Sequence, residues 1–223
     1  MELKPASISL AIFADGLKPL ATSRKSAAKR DAILRAAIEI INAKSFALAT
    51  MTEIAASLGL RDGSLYYYYP SKQALVFACH VRSLERFENL LIVSSEAGGT
   101  GAGRLKHFLH SMIDDSDRNG PQLYFGDHSY LEADQRAAIT AWAARLTNLL
   151  EQFLKDGIND GSIVPCETQL IVQLLLGMLI WLAKWVPAID GLTADRLMTA
   201  IGACSLNGLA TMPEAETATR APV

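Results

Sequence analysis

Gly63-Ser64-Leu65-Tyr66-Tyr67-Tyr68-Tyr69-Pro70-Ser71-Lys72 holds four of the chain's six tyrosines in a row. On a helix, consecutive residues lie about 100° apart, so four in a row sweep nearly a full circle. No single core can take them all. Leu65 and Tyr69, spaced i and i+4, are the natural buried pair, which turns Tyr66, Tyr67 and Tyr68 outward. A phenol is apolar along its ring and a donor at its tip. It can pack on sugar or a thymine methyl and donate to a phosphate oxygen.

The neighbouring residues supply the frame. Pro70 stops the helix over 62–69, and Ser71 is a good N-cap for a long helix over 72–92. Upstream, Thr50-Met51-Thr52-Glu53 matches a capping box, in which Thr50 caps the Glu53 amide and Glu53 reaches back. That box starts a short helix over 51–58, and Gly59 stands at its left-handed stop. Before it, Ile33, Leu34, Ala37, Ile38, Ile40 and Ile41 recur at helical spacing over 26–43. Two short helices joined by a tight glycine turn, after a longer first helix, make a helix-turn-helix. The second short helix can then lie in the major groove with its N-terminal residues on base edges.

Beyond residue 92 the pattern stays helical, so the chain is expected to be all-α. The stretch 94–103, with four glycines, reads as a linker. Helices are expected over 104–115, 124–130, 133–159, 167–186 and 193–209, and a loose tail after 212. The 167–186 stretch is apolar nearly all round, so it must be covered on both sides. One side is its own core; the other calls for a partner. Gly177 and Ala183, with Ala200 and Ala203 of the next helix, allow close approach. These two helices therefore predict a symmetric homodimer interface.

Composition narrows the function. The net charge is −2, which argues against a bulk nucleic-acid binder. The charge is segregated, however: residues 24–92 carry ten Lys/Arg against six Asp/Glu, while 93–223 carry nine against fifteen. A basic segment joined to an acidic one suggests two tasks. Cys79, Cys166 and Cys204 are too far apart for a CxxC site and fit a reduced, cytoplasmic protein. The longest apolar run, 170–186, is interrupted by Gln173 and Lys184 and is short for a bilayer, so no membrane partner is expected.

The segment from Thr50 to Leu75, with cap, short helix, turn, "GSLYY", a further aromatic, "PSK" and Ala74-Leu75, resembles the DNA-binding domain of the TetR (tetracycline-repressor-like) family. The resemblance is strong over 28–75. Gly157-Ile158-Asn159-Asp160-Gly161-Ser162-Ile163 is similar to a stretch of that family's regulatory domain. The resemblance implies an all-helical homodimer: a leader (1–23), a DNA-binding domain (24–75), an effector-binding and dimerisation domain (76–212) and a tail (213–223), the 72–92 helix joining the domains. Position by position, it implies DNA contact by Thr52, Arg61, Asp62, Gly63, Ser64, Tyr66, Tyr67, Tyr68 and Lys72. Tyr68 stands where the family usually has His, and Tyr69 where it has Phe. Asp62 stands where a neutral or basic residue is more common; an acid there suits the helix dipole better than a phosphate. The cluster Arg24, Lys25, Lys29 and Arg30 is a second place for phosphate contact.

Other chemistries are weaker. Residues 98–103 have the glycine separation of a phosphate loop, but Arg104-Leu105 replaces Lys-Ser/Thr and no strand precedes them. His107, His110 and Asp114 share a helix, with His128 elsewhere, yet no fourth metal ligand is fixed. No nucleophile and base show a local signature, so no enzyme, metal or cofactor is expected. Tyr124, Phe125, Trp142, Met178 and Trp181 are candidates to line an apolar effector pocket, with His107 and His110 beside them. The expected function is a repressor that a small, mostly apolar effector releases from a palindromic operator. A transcriptional activator, or a helical small-molecule-binding protein, is the competing reading.

Overall fold

A computed structural model describes residues 24–123, 128–185 and 189–201, except for the side chains of residues 62, 180, 182–185 and 194. These residues form eight α-helices: α1 Arg24–Lys44, α2 Met51–Ser57, α3 Asp62–Tyr68, α4 Lys72–Glu96, α5 Gly101–Asn119, α6 Ala133–Asn159, α7 Thr168–Trp185 and α8 Ala194–Ile201. The leader 1–23, the tail 213–223, Tyr124, Phe125, Ala203, Cys204 and the rest of the expected 193–209 helix lie outside the described residues.

Local chemistry sets the helix ends. Thr50 Oγ1 accepts the Glu53 N–H at 3.1 Å and starts α2. Only half of the expected capping box forms, because the Glu53 carboxylate pairs with Lys44 of α1 instead of reaching back. At the far end Gly59 takes φ +63. The Leu60 N–H donates to Ala55 O at 2.9 Å and the Gly59 N–H to Ala56 O at 3.0 Å, a Schellman closure. Ser71 Oγ accepts the Ala74 N–H at 3.1 Å and starts α4.

The expected linker is shorter than its glycines suggest. Helix α4 runs on to Glu96, and α5 already begins at Gly101. Gly98 at φ +70 and Gly99 at φ +82 make the turn. Gly101 and Gly103 serve the next helix. Thr100 Oγ1 accepts the Gly103 N–H, Asp160 Oδ2 the Gly101 N–H at 2.7 Å and Ser162 Oγ the Ala102 N–H at 3.1 Å. The end of α6 thus caps the start of α5. Bonds from Ser162 and from the Gly101 backbone hold the Asp160 carboxyl below the usual range. Residues 128–130 lie in a turn rather than the expected helix.

Two cores result. Ile33, Ile38, Ile54, Leu65, Tyr69, Leu75, Val76 and Cys79 pack α1–α3 onto the start of α4. Phe77, Leu84, Phe87 and Leu91 carry α4 into a second core with Phe108, Leu109, Leu150, Leu154 and Val172. The chain after α5 then returns to the first core, where Leu123 is buried. Asn42 donates to Gln122 O at 2.9 Å, Arg86 to Gly120 O at 2.8 Å, and the Leu123 N–H to Ser83 Oγ at 2.8 Å. No helix of the described residues is long and apolar enough to cross a membrane.

Helices α5 and α6 meet backbone to backbone: a Cβ on Gly101 would stand 2.1 Å from Gly157 N and 2.4 Å from Phe153 O. Backbone cannot yield as a side-chain tip does. Gly101→Ala is therefore expected to cost about 2–4 kcal/mol, read from denaturant midpoints. Gly63→Ala, where nothing stands within 4 Å, is expected to stay within about 1 kcal/mol of the parent chain.

Candidate nucleic-acid interface

Helix α3 is anchored from one side. Leu65 is fully buried and Tyr69 is 2 % exposed, the i and i+4 pair expected from the sequence. Burial pushes the Tyr69 phenol well up. With that edge fixed, Tyr66 stands 50 % exposed and Tyr67 63 % exposed. Arg61, Gly63 and Ser64 at the start of α3 are exposed as well, and so is Thr52 on α2. Arg61 occupies the N-cap position and contributes no side-chain cap. Asp62 opens α3 as expected; its side chain lies outside the description.

Tyr68 departs from the outward reading. It is half-buried and packs against the first core. Its ring meets Tyr67 edge to face at 5.3 Å between centroids. It also borders an open groove of about 550 Å3 lined by Lys25, Ser26, Ala28, Lys29 and Ala32 of α1. The reason is angular: Tyr68 is three residues from Leu65, so a helix of 3.6 residues per turn brings it back towards the buried edge. The groove joins a phenol of α3 to the basic start of α1.

Lys72, the first residue of α4, sits at the wrong end of that helix for its dipole. Its ammonium lies 4.2 Å from the centroid of the Phe46 ring and 3.5 Å from Ala47 O. Burial lowers its pKa. A cation held over a ring near the surface is placed for a phosphate without being locked in an ion pair.

The described effector-pocket candidates come from α5, α6 and α7. His107 is exposed, with Nδ1 2.9 Å from Ser94 Oγ. His110 Nε2 lies 3.2 Å from Asp195, which ties α5 to α8. Trp181 is 64 % exposed on the outer face of α7. Among the described candidates, Trp142 and Met178 pack against the second core. The Trp142 indole donates to Glu88 at 3.0 Å, and Arg145 pairs with the other oxygen of that carboxylate at 2.6 Å. Sequence periodicity did not single out Glu88 or Arg145, because each looks like an ordinary polar residue of a long helix. Among the described residues no group of three or more His, Cys, Asp or Glu could hold a metal.

The face of α3 and its anchor separate under mutation. Tyr67→Ala is expected to leave stability within about 0.5 kcal/mol and to weaken DNA binding. Leu65→Ala is expected to cost about 2–5 kcal/mol and lose binding through unfolding. Thermal melts and fluorescence anisotropy on the same samples check both.

Comparison with known proteins agrees with this geometry. A model described as bacterial regulatory proteins of the tetR family matches residues 33–79. A second, described as the tetracyclin repressor-like C-terminal domain, matches residues 98–209, half of the chain. The HTH-type transcriptional repressor KstR of Mycolicibacterium smegmatis is 24 % identical over 168 residues, 73 % of this chain and 80 % of that protein. In fold, the chain is similar to AibR in its complex with isovaleryl coenzyme A and operator DNA. The TM-score is 0.65 and the identity 23 %, over 78 % of this chain and 97 % of that one. It is also similar to the ketosteroid transcriptional regulator KstR2 of Mycobacterium tuberculosis, with a TM-score of 0.66 and 16 % identity over 82 % and 96 % of the two chains. The chain belongs to the TetR family of bacterial regulatory proteins and is a DNA-binding transcriptional regulator.

Proposed function

We propose that the chain is a cytoplasmic homodimeric repressor, which a small, mostly apolar effector releases from a palindromic operator. The observation that carries the DNA half is the exposed face of α3. Tyr66 and Tyr67 stand outward while Leu65 and Tyr69 fix the helix. Thr52, Arg61, Gly63, Ser64, Tyr66 and Tyr67 meet base edges and backbone. Tyr68, Lys25 and Lys29 around the α1 groove, with Lys72, take phosphates. The dipole role for Asp62 is retained.

The dimer rests on α7. Leu170, Leu174 and Trp181 are 56 %, 69 % and 64 % exposed, and Gly177 is exposed between them. Spacings of four, three and four residues put all four on one stripe. An added Cβ on Gly177 would meet nothing within 4 Å, so a second backbone has room to approach. A self-complementary stripe suits a twofold axis. Two copies then present their α3 helices about 34–36 Å apart, one turn of DNA.

The effector is read from two supports: the apolar second core, and relatives whose names concern isovaleryl coenzyme A and ketosteroids. We assign it to the acyl thioesters or similarly apolar carbon skeletons. Its leverage is its differential affinity for the two forms of the dimer.

A panel of isovaleryl-CoA, longer acyl-CoAs and a ketosteroid, titrated onto the protein bound to a duplex selected from a random pool, tests this. One class is expected to weaken DNA binding by about tenfold or more, corresponding to roughly 1.4 kcal/mol of coupling. Retained binding against the whole panel contradicts the effector class. In a reporter strain, a fall in transcription on adding the effector favours the activator reading.

A further inference from the structure

The connection between α5 and α6 touches the DNA-binding domain at a second point besides Leu123. The Tyr130 ring stacks on the Phe46 ring at 3.9 Å between centroids and 13° between planes. Phe46 belongs to the turn between α1 and α2, so the contact joins residues far apart in sequence. At this separation Tyr130 covers one face of Phe46, and the Lys72 ammonium, 4.2 Å from the same centroid, takes the other. The three side chains form a column: a phenol from the effector domain, a phenyl from the helix-turn-helix domain, and a cation at the head of α4.

Tyr130 is held from the effector side. Its hydroxyl lies 2.8 Å from Nε2 of His80, a fully buried residue of α4. The His128 ring meets the His80 ring edge to face at 4.8 Å. Burial, and then His128, hold the His80 pKa down to about 3, so the ring is neutral near pH 7. The turn closes through the Leu131 N–H donating to His128 O at 3.0 Å, and Arg136 in the first turn of α6 donates to Leu131 O at 3.3 Å. Tyr130 packs against both hydrophobic cores. A shift of the α6 start therefore reaches the Phe46 ring through one residue.

We propose that Tyr130 is a positioning residue for DNA binding: it fixes the Phe46 ring, and through it the Lys72 ammonium, so that the effector domain sets whether this cation is presented to a phosphate. This rests on the phosphate role proposed for Lys72. The column gives the effector domain a route to the DNA face separate from the swing of α4 itself. The cation–π contact is worth little in water, but it decides where a flexible four-carbon stem spends its time.

Two measurements on the full chain test it. Lys72 side-chain Hε protons over a phenyl face are shifted upfield by its ring current, which NMR reads without DNA. Tyr130→Leu keeps apolar bulk but removes the stack, and is expected to return that shift to the ordinary lysine value. Tyr130→Phe keeps the ring and is expected to keep the shift. An unchanged shift in Tyr130→Leu, or in Tyr130→Ala should the leucine variant fold poorly, overturns the proposal.

The second measurement is affinity against salt for a duplex selected from a random pool by the parent chain. Tyr130→Leu is expected to weaken binding about three- to tenfold and to reduce the log–log salt slope by about one. In a Lys72→Gln background it is expected to add nothing. Additive losses overturn the proposal. If Lys72→Gln alone changes neither affinity nor slope, the phosphate role of Lys72 fails and this function of Tyr130 with it. The ring-current result then still reports whether the column itself exists.

Discussion

Helix α4 buries one end in each of two cores. Leu75, Val76 and Cys79 belong to the core of the helix-turn-helix domain. Phe77, Leu84, Phe87 and Leu91 belong to the effector domain. Interiors pack at crystal-like density and do not deform smoothly. A rearrangement of the second core therefore moves α4 as a rod, and the first core moves with it. Arg86, two turns beyond Cys79, pairs with Asp115 and donates to Gly120 O, so α4 also fixes where the chain leaves α5. The placement of α3, of Leu123 and of Tyr130 all follows from this one helix.

The DNA face follows from the same burial. Leu65 and Tyr69 place α3, and their burial leaves Tyr66 and Tyr67 in solvent. Arg61 at the start of α3 accompanies them, and the other basic residues sit on α1 and at the head of α4. This explains how a chain of net charge −2 carries a phosphate-binding surface. The acidic excess lies beyond residue 92.

Much of this was legible because it is local. Thr50, Gly59, Pro70 and Ser71 act within four residues of themselves, and the helices they delimit lie where the sequence puts them. The 133–159 helix was found at its expected bounds, since its periodicity is long and uninterrupted. What failed is non-local. The glycines of 98–103 read as a linker because Asp160 and Ser162, which recruit Gly101 and Ala102 into α5, lie some sixty residues away. Tyr68, three residues from Leu65, comes back towards the buried edge, and the α1 wall it meets there is distant in sequence from α3. Residue type alone does not separate Trp142, which donates to Glu88, from Trp181, which is exposed on α7. Phe46 and Tyr130 carried no signal, because a stack between two turns has no period.

In the proposed dimer two copies, joined along the α7 stripe, read DNA through paired α3 helices. The most direct test is the symmetry of the duplexes the full chain selects from a random pool. The expected product is an inverted repeat with half-site centres about 10 base pairs apart, bound by two chains. Asymmetric sites bound by a single chain, or no enrichment at all, would contradict it.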